Sequence, residues 1–250
     1  MFGNIIFNLI IAHIISDFYL QWGASCQNKS NSYIRGWASW LHAFIVFILS
    51  WAVVWNPNAW WLALIIAICH FLTDWLKSIL SHKEKDKLPI FIGDQIVHLG
   101  TLSLMAFVWL SNNDNWQQFN WLTGWITNYP LRINTFIAIL LALKPTNTLL
   151  LYILKSCKVN TNQQNSDNSE TFHSGALIGY LERGLTLLFV ILAQYEALGF
   201  LIAAKSILRF NATSSGDEKA EYVLTGTLLS LTIALCLGLM AVRLFFTSTL

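Results

Sequence analysis

Residues 60–79 read WWLALIIAICHFLTDWLKSI. The run has the length a helix needs to cross a bilayer core, roughly 20 residues at about 1.5 Å each. Its second half nevertheless holds His70 and Asp74. Residues four apart stand one turn above each other on a single helix face. An ionisable group inside a membrane costs about 2.5–3.5 kcal/mol on insertion scales, so such groups need compensation and usually have a role. The stretch therefore reads as a membrane helix that presents an imidazole and a carboxylate to a common point.

The same arrangement recurs on both sides of it. NLIIAHIISDFYLQW (8–22) carries His13 and Asp17, again four apart. FIGDQIVHLGTL (91–102) carries Asp94 and His98 in the reverse order, with Gln95 beside them. WLHAFIVF (40–47) adds His42. Three pairs and one further imidazole make seven donors, enough for a metal centre of one or two ions.

Composition places the whole chain in lipid. Of 250 residues 55% are hydrophobic and 11% charged, against about 25% charged in a soluble domain. Mean hydropathy is +0.53. Apolar segments fall near 4–22, 37–55, 59–79, 89–110, 132–155, 176–205 and 221–247. The expected fold is all-α, a polytopic membrane bundle of about seven transmembrane helices. The net charge of +2 is too small to imply a nucleic-acid partner. Cys26, Cys69, Cys157 and Cys236 form no CxxC, which argues against a thiolate zinc site. The first apolar run lacks a basic leader and carries His13 and Asp17, so it reads as a mature helix rather than a signal peptide.

Punctuation divides the chain into a core at 1–111 carrying the His/Asp cluster, an interfacial segment with a Pro-broken helix at 112–157, a polar linker at 158–174 and a two-helix segment at 175–250. Asn56-Pro57-Asn58 is a turn, with Trp51, Trp55, Trp60 and Trp61 around it as an interfacial aromatic belt. Lys144-Pro145 breaks the fifth segment, and the carbonyls that proline leaves without a donor must find partners inside the protein. Seven spans put Lys29, Arg35, Lys77, Lys83, Lys85, Lys87, Lys155 and Lys158 on one side, against Arg132, Lys205, Arg209 and Lys219. The positive-inside rule then leaves the N-terminus outside and the C-terminus in the cytoplasm. All seven His and Asp groups fall at one depth, just inside the cytoplasmic face.

A mixed His/Asp set suits a divalent cation, zinc first, with manganese and iron as alternatives. His13, His42, His70 and His98 are the preferred ligands; Asp17, Asp74 and Asp94 are further ligands or a general base. The plain alternative for each pair is a local His–Asp hydrogen bond that ties helices together. Gln95, Lys144, Glu182 and Arg183 are the remaining polar candidates, Lys144 because a broken helix exposes backbone to a ligand.

HxxxDFxLQ at 13–21, the lone His42, HxxxDxxK at 70–77 and DQxxH at 94–98 together resemble a bacterial integral membrane family known as a domain of unknown function, DUF3307-like. KPTN at 144–147, GYLER at 179–183 and FLIAAKSILRF at 200–210 resemble its longer members. The resemblance implies a multi-span protein of the inner membrane and brings no reaction with it. Paired HxxxD motifs in membrane helices are also similar in style to membrane-bound metal-dependent hydrolases, an analogy of site alone.

The leading expectation is therefore an inner-membrane metal-dependent hydrolase acting on a lipid or amphiphile, with the lysine-rich stretch 77–87 beside an anionic headgroup. A divalent-cation or proton transporter is the second reading, and a non-enzymatic scaffold locked by His–Asp pairs the third.

Overall fold

A computed structural model describes residues 2–21, 36–54, 56–83, 86–112, 130–156, 169–212 and 217–248. Every regular element among them is helical. The expectations for the loop with Lys29 and Arg35, most of the interfacial segment and most of the 158–174 linker lie outside the described residues. The chain forms two compact units, Met1–Asn128 and Tyr129–Leu250.

The first unit contains α1 (Phe2–Ile14), which runs on into a π-helical turn at Ile15–Tyr19, then α2 (Trp37–Val54), α3 (Trp60–Lys83) and α4 (Leu88–Asn112). Contacts run α1–α2, α2–α3, α3–α4 and α4–α1, so four helices close a ring around one axis. The sequence shows why. Phe91, Asp94, His98, Leu102, Ala106 and Trp109 are the buried residues of α4, and Ala38, Ser39, His42, Val46, Ser50 and Val54 those of α2. Steps of three and four keep one stripe facing the axis. One end of the axis is apolar, filled by Ile5, Leu9, Val54, Leu62, Ala106 and Trp109. The His and Asp residues occupy the other end of the same stripes.

The opposite faces carry Trp37, Trp40, Phe44, Ile68, Leu72, Ile96, Leu104 and Phe107, all exposed. Such a surface suits a lipid environment. Between α2 and α3, the Asn56 side chain accepts from the Asn58 amide at 2.9 Å, and Pro57 opens the short 3₁₀ turn Pro57–Ala59. Trp51 Nε1 donates to the Asn56 carbonyl, which ties the expected aromatic cluster to the turn.

The second unit contains α5 (Pro130–Ala142), α6 (Lys144–Ser156), α7 (Ser169–Ile191), α8 (Tyr195–Ala212) and α9 (Asp217–Ser248). Its core joins Ala138, Ala142, Leu187 and Ala241, with Ile191 and Leu237 against them. The break at Lys144-Pro145 is present, and both exposed carbonyls are satisfied. Thr146 Oγ1 donates to the Leu141 carbonyl at 2.7 Å, replacing the N–H that Pro145 lacks. Arg183 Nε donates to the Ala142 carbonyl.

Among the described residues, five helices are long and apolar enough to cross a membrane: Trp37–Val54, Pro57–Ser81, Leu88–Asn112, Asn134–Ser156 and Leu224–Val242. Ile5–Tyr19 is a shorter apolar helix. The count differs slightly from the expected seven, and the expected segment 176–205 is not one span. It is broken between α7 and α8, where Ala193 takes a left-handed backbone with φ 55°. The Gln194 amide donates to the Phe189 carbonyl at 2.8 Å and the Ala193 amide to the Val190 carbonyl at 3.1 Å, the bond pair that closes a helix in a Schellman motif. That position ordinarily holds glycine, so the stop carried no glycine signal. An L-residue there costs about 1–2 kcal/mol. Ala193→Gly is expected to raise stability by about 1 kcal/mol, read as a higher thermal midpoint by circular dichroism in detergent; a lower midpoint would contradict the assigned turn.

Candidate metal centre

All seven predicted donors meet at one end of the four-helix ring. The tightest contacts run between helices rather than along them. His42 Nε2 and His70 Nε2 are 3.0 Å apart. Asp17 Oδ1 lies 3.1 Å from His70 Nε2 and 3.3 Å from His42 Nε2. Asp74 Oδ2 lies 3.7 Å from each of the same two nitrogens. Four-coordinate zinc with bonds of 2.0–2.1 Å has ligand–ligand edges of about 3.3–3.4 Å, and an octahedral site slightly shorter ones. Asp17 Oδ1, His42 Nε2 and His70 Nε2 thus stand at or slightly inside the spacing of a coordination polyhedron, and the distances from Asp74 Oδ2 to the two nitrogens are slightly wide.

Two of the pairs within single helices are looser, His13 Nδ1 to Asp17 Oδ1 at 3.9 Å and His70 to Asp74 at 3.7 Å, whereas Asp94 to His98 is 3.3 Å. Asp17 sits in the π-helical turn, where Leu20 N reaches back five residues to the Ile15 carbonyl. A π turn advances fewer degrees per residue than an α turn, and such turns recur at functional sites. Here it carries Asp17 away from His13 and towards His42 and His70. His13 is left at the edge, its Nε2 3.4 Å from Gln95 Oε1 and its ring 5.0 Å from that of His98.

A second group forms around Asp94, which is 1% exposed. His98 Nε2 is 3.3 Å from Asp94 Oδ1 and 3.8 Å from Asp74 Oδ1. Neither His98 Nε2 nor Asp94 Oδ1 meets the geometry of a hydrogen bond, so two buried polar atoms face the same space. The other oxygen of Asp94 accepts from Lys77 Nζ at 2.6 Å and from Gln95 Nε2 at 3.0 Å. The His70 and His98 rings stack at 4.1 Å and link the two groups. A cavity with room for about one water borders His13, His70 and His98, with Ser50 and Thr101 in its wall.

Lys77 belongs to the site, not to the loop with which it was grouped. α3 continues to Lys83, and Lys77 lies seven residues after His70, two turns along the same face. Its ammonium turns inward onto Asp94 and passes over the Phe91 ring at 5.5 Å. The motif HxxxDxxK contained this signal in its spacing.

The remaining candidates are in the second unit. Lys144 is exposed, and the carbonyls freed beside it are already bonded. Glu182 pairs with Lys205. Arg183 is buried; besides the Ala142 carbonyl it donates from Nη1 to Ser230 Oγ at 3.1 Å and lies against Tyr180. Gly179 leaves room for it, since a Cβ there would come within 3.2 Å of Nη1. GYLER is thus a seat for one guanidinium that holds the broken helix.

No curated protein and no solved structure matches the chain. Residues 5–127 match the family model described as Protein of unknown function, DUF3307, a span that takes in all seven donors and Lys77. The N-terminal unit of this membrane-helix protein is a DUF3307 domain.

Proposed function

We propose that the N-terminal unit is a metal-dependent hydrolase whose centre opens at the membrane surface and acts on a lipid or amphiphile. The observation that carries this reading is the set Asp17 Oδ1, His42 Nε2, His70 Nε2 and Asp74 Oδ2, drawn from three helices, in which each carboxylate oxygen lies 3.1–3.7 Å from both imidazole nitrogens. Zinc suits the mixed imidazole and carboxylate donors; manganese and iron are the alternatives. A divalent ion held there supplies a water of lowered pKa and polarises a carbonyl or phosphoryl oxygen. A carboxylate at the centre, Asp94 in this reading, takes up that water's proton as general base, with His98 Nε2 3.3 Å from its Oδ1. Lys77 and Gln95 hold Asp94 in place.

Access supports a surface-facing site. Side-chain exposure rises from 1% at Asp94 and 3% at His98 to 9% at Asp17, 13% at Asp74 and 29% at Lys77. The substrate thus approaches the ring end where Lys77 lies, beside lipid-facing Trp75 and Leu76. By charge bias this end is cytoplasmic in a bacterial inner membrane. A permeation site would need polar groups onward from the cluster, whereas the axis there is filled by Leu9, Leu62, Ala106 and Trp109.

The test is hydrolysis of ester and phosphoester amphiphiles by detergent-purified protein, stripped by chelator and reloaded with zinc or manganese, beside Asp94→Asn. Metal-dependent turnover lost in the variant is the expected result. Metal-dependent flux in proteoliposomes without turnover would replace this reading with transport.

A further inference from the structure

Within the metal-centre reading, the distribution of charge says how many ions the site takes. Asp74 points its two oxygens at different partners. Oδ2 faces His42 and His70, and Oδ1 faces His98. Asp74, Asp94 and His98 each offer one donor atom, all within 4.8 Å of one another. The protein thus carries the outline of two adjacent cation positions with Asp74 between them, a layout that in two-metal sites places ions about 3.5–4 Å apart. Beside the second position, on the other oxygen of Asp94, a cation is already built into the chain. Lys77 Nζ is 2.6 Å from Asp94 Oδ2, closer than any other ion pair around the centre.

Asp17, Asp74 and Asp94 bring three negative charges, and Lys77 returns one. One divalent ion then makes the group neutral, whereas two would leave an excess of positive charge at low dielectric, where unbalanced charge is expensive. We propose that Lys77 is the determinant of stoichiometry: its ammonium stands in for a second metal at Asp94, and the centre binds a single divalent cation at Asp17, His42, His70 and Asp74. Without the ammonium, one divalent ion leaves the group at a net charge of −1, and the buried carboxylate of Asp94 is left to attract another ion to the second position.

The experiment compares full-length wild type and Lys77→Met, which keeps the stem and removes the charge. Both are stripped, loaded with manganese and desalted. Metal per chain is measured by mass spectrometry, and coupling between ions by electron paramagnetic resonance. The expected result is one ion with the spectrum of isolated manganese in wild type, and two ions with an exchange-coupled spectrum in the variant. The double variant Lys77→Met with Asp94→Asn should return to one. Two ions in wild type, or one in Lys77→Met, overturns the proposal and leaves the metal centre standing. No ion in folded wild type removes the centre itself. If Lys77→Met does not fold, Lys77→Gln carries the same comparison.

Discussion

Replacing His70 with alanine should strip the proposed centre of metal while the helices remain. His70 Nε2 is the most connected of the donors, 3.0 Å from His42, 3.1 Å from Asp17 and 3.7 Å from Asp74. Its loss removes a vertex of the proposed polyhedron and lets water into the cavity that already borders its ring. The fall in affinity should exceed the roughly 10–100-fold typical of a change in an outer partner. His13→Ala provides the scale. His13 is 3.9 Å from Asp17 and turns its other nitrogen to Gln95, so that variant should stay within about 10–100-fold of wild type. Metal content by mass spectrometry, with helicity by circular dichroism on the same samples, separates the readings. Equal losses in the two variants would contradict the assignment of vertices. Collapse of helicity in His70→Ala, unchanged by added metal, would favour the scaffold reading, in which the polar groups serve only to tie four helices together.

The parts of this site legible in the sequence were those governed by helical period. His13, Asp17, His70, Asp74, Asp94 and His98 come in pairs four apart, and period alone puts each pair on one face. Burial of those faces followed from the apolar residues that share their stripes, such as Leu102 and Ala106 beyond His98. What the sequence left open were features set by contact between helices. Nothing in ISDFY announces a π turn, yet that turn gives Asp17 to His42 and His70 rather than to His13. Lys77 was grouped with the charged stretch that follows it because composition changes there, whereas the helix runs on to Lys83. The stop at Ala193 was hidden for the opposite reason: its residues are apolar helix formers, and the turn is held by backbone bonds at a position where glycine is merely usual. The Arg183 cap on the Ala142 carbonyl joins residues 41 apart in sequence, a distance no local pattern spans. The proline had nevertheless required that such a partner exist.

In the second unit, the substitution with the largest expected effect on stability is Gly238→Ala. α7 and α9 approach closely at this glycine: a Cβ there would lie 2.9 Å from Val190 Cγ1, 3.0 Å from Val190 Cβ and 3.4 Å from Leu187 Cδ2. Real Cβ atoms essentially never come that near. Val190 cannot swing aside, because a β-branched side chain in a helix has one strongly preferred χ1 and its own Cβ is part of the clash. The helices must therefore part. In a membrane, where packing and hydrogen bonds rather than hydrophobic burial hold helices together, small residues at such crossings set the approach of the backbones. Overpacking of this kind costs about 1–3 kcal/mol. The same glycine-to-alanine change at Gly184, with nothing within 4 Å, should instead be neutral or favourable by up to about 1 kcal/mol of helix propensity. All twelve tryptophans lie between residues 22 and 125, so tryptophan fluorescence follows the first unit alone and serves as the reference. Circular dichroism follows both units. Gly238→Ala should lower the dichroism midpoint in detergent, and Gly238→Leu should lower it further. A midpoint for Gly238→Ala equal to that of Gly184→Ala would mean that α7 and α9 do not meet at Val190, and the packing assigned to the second unit would have to be redrawn.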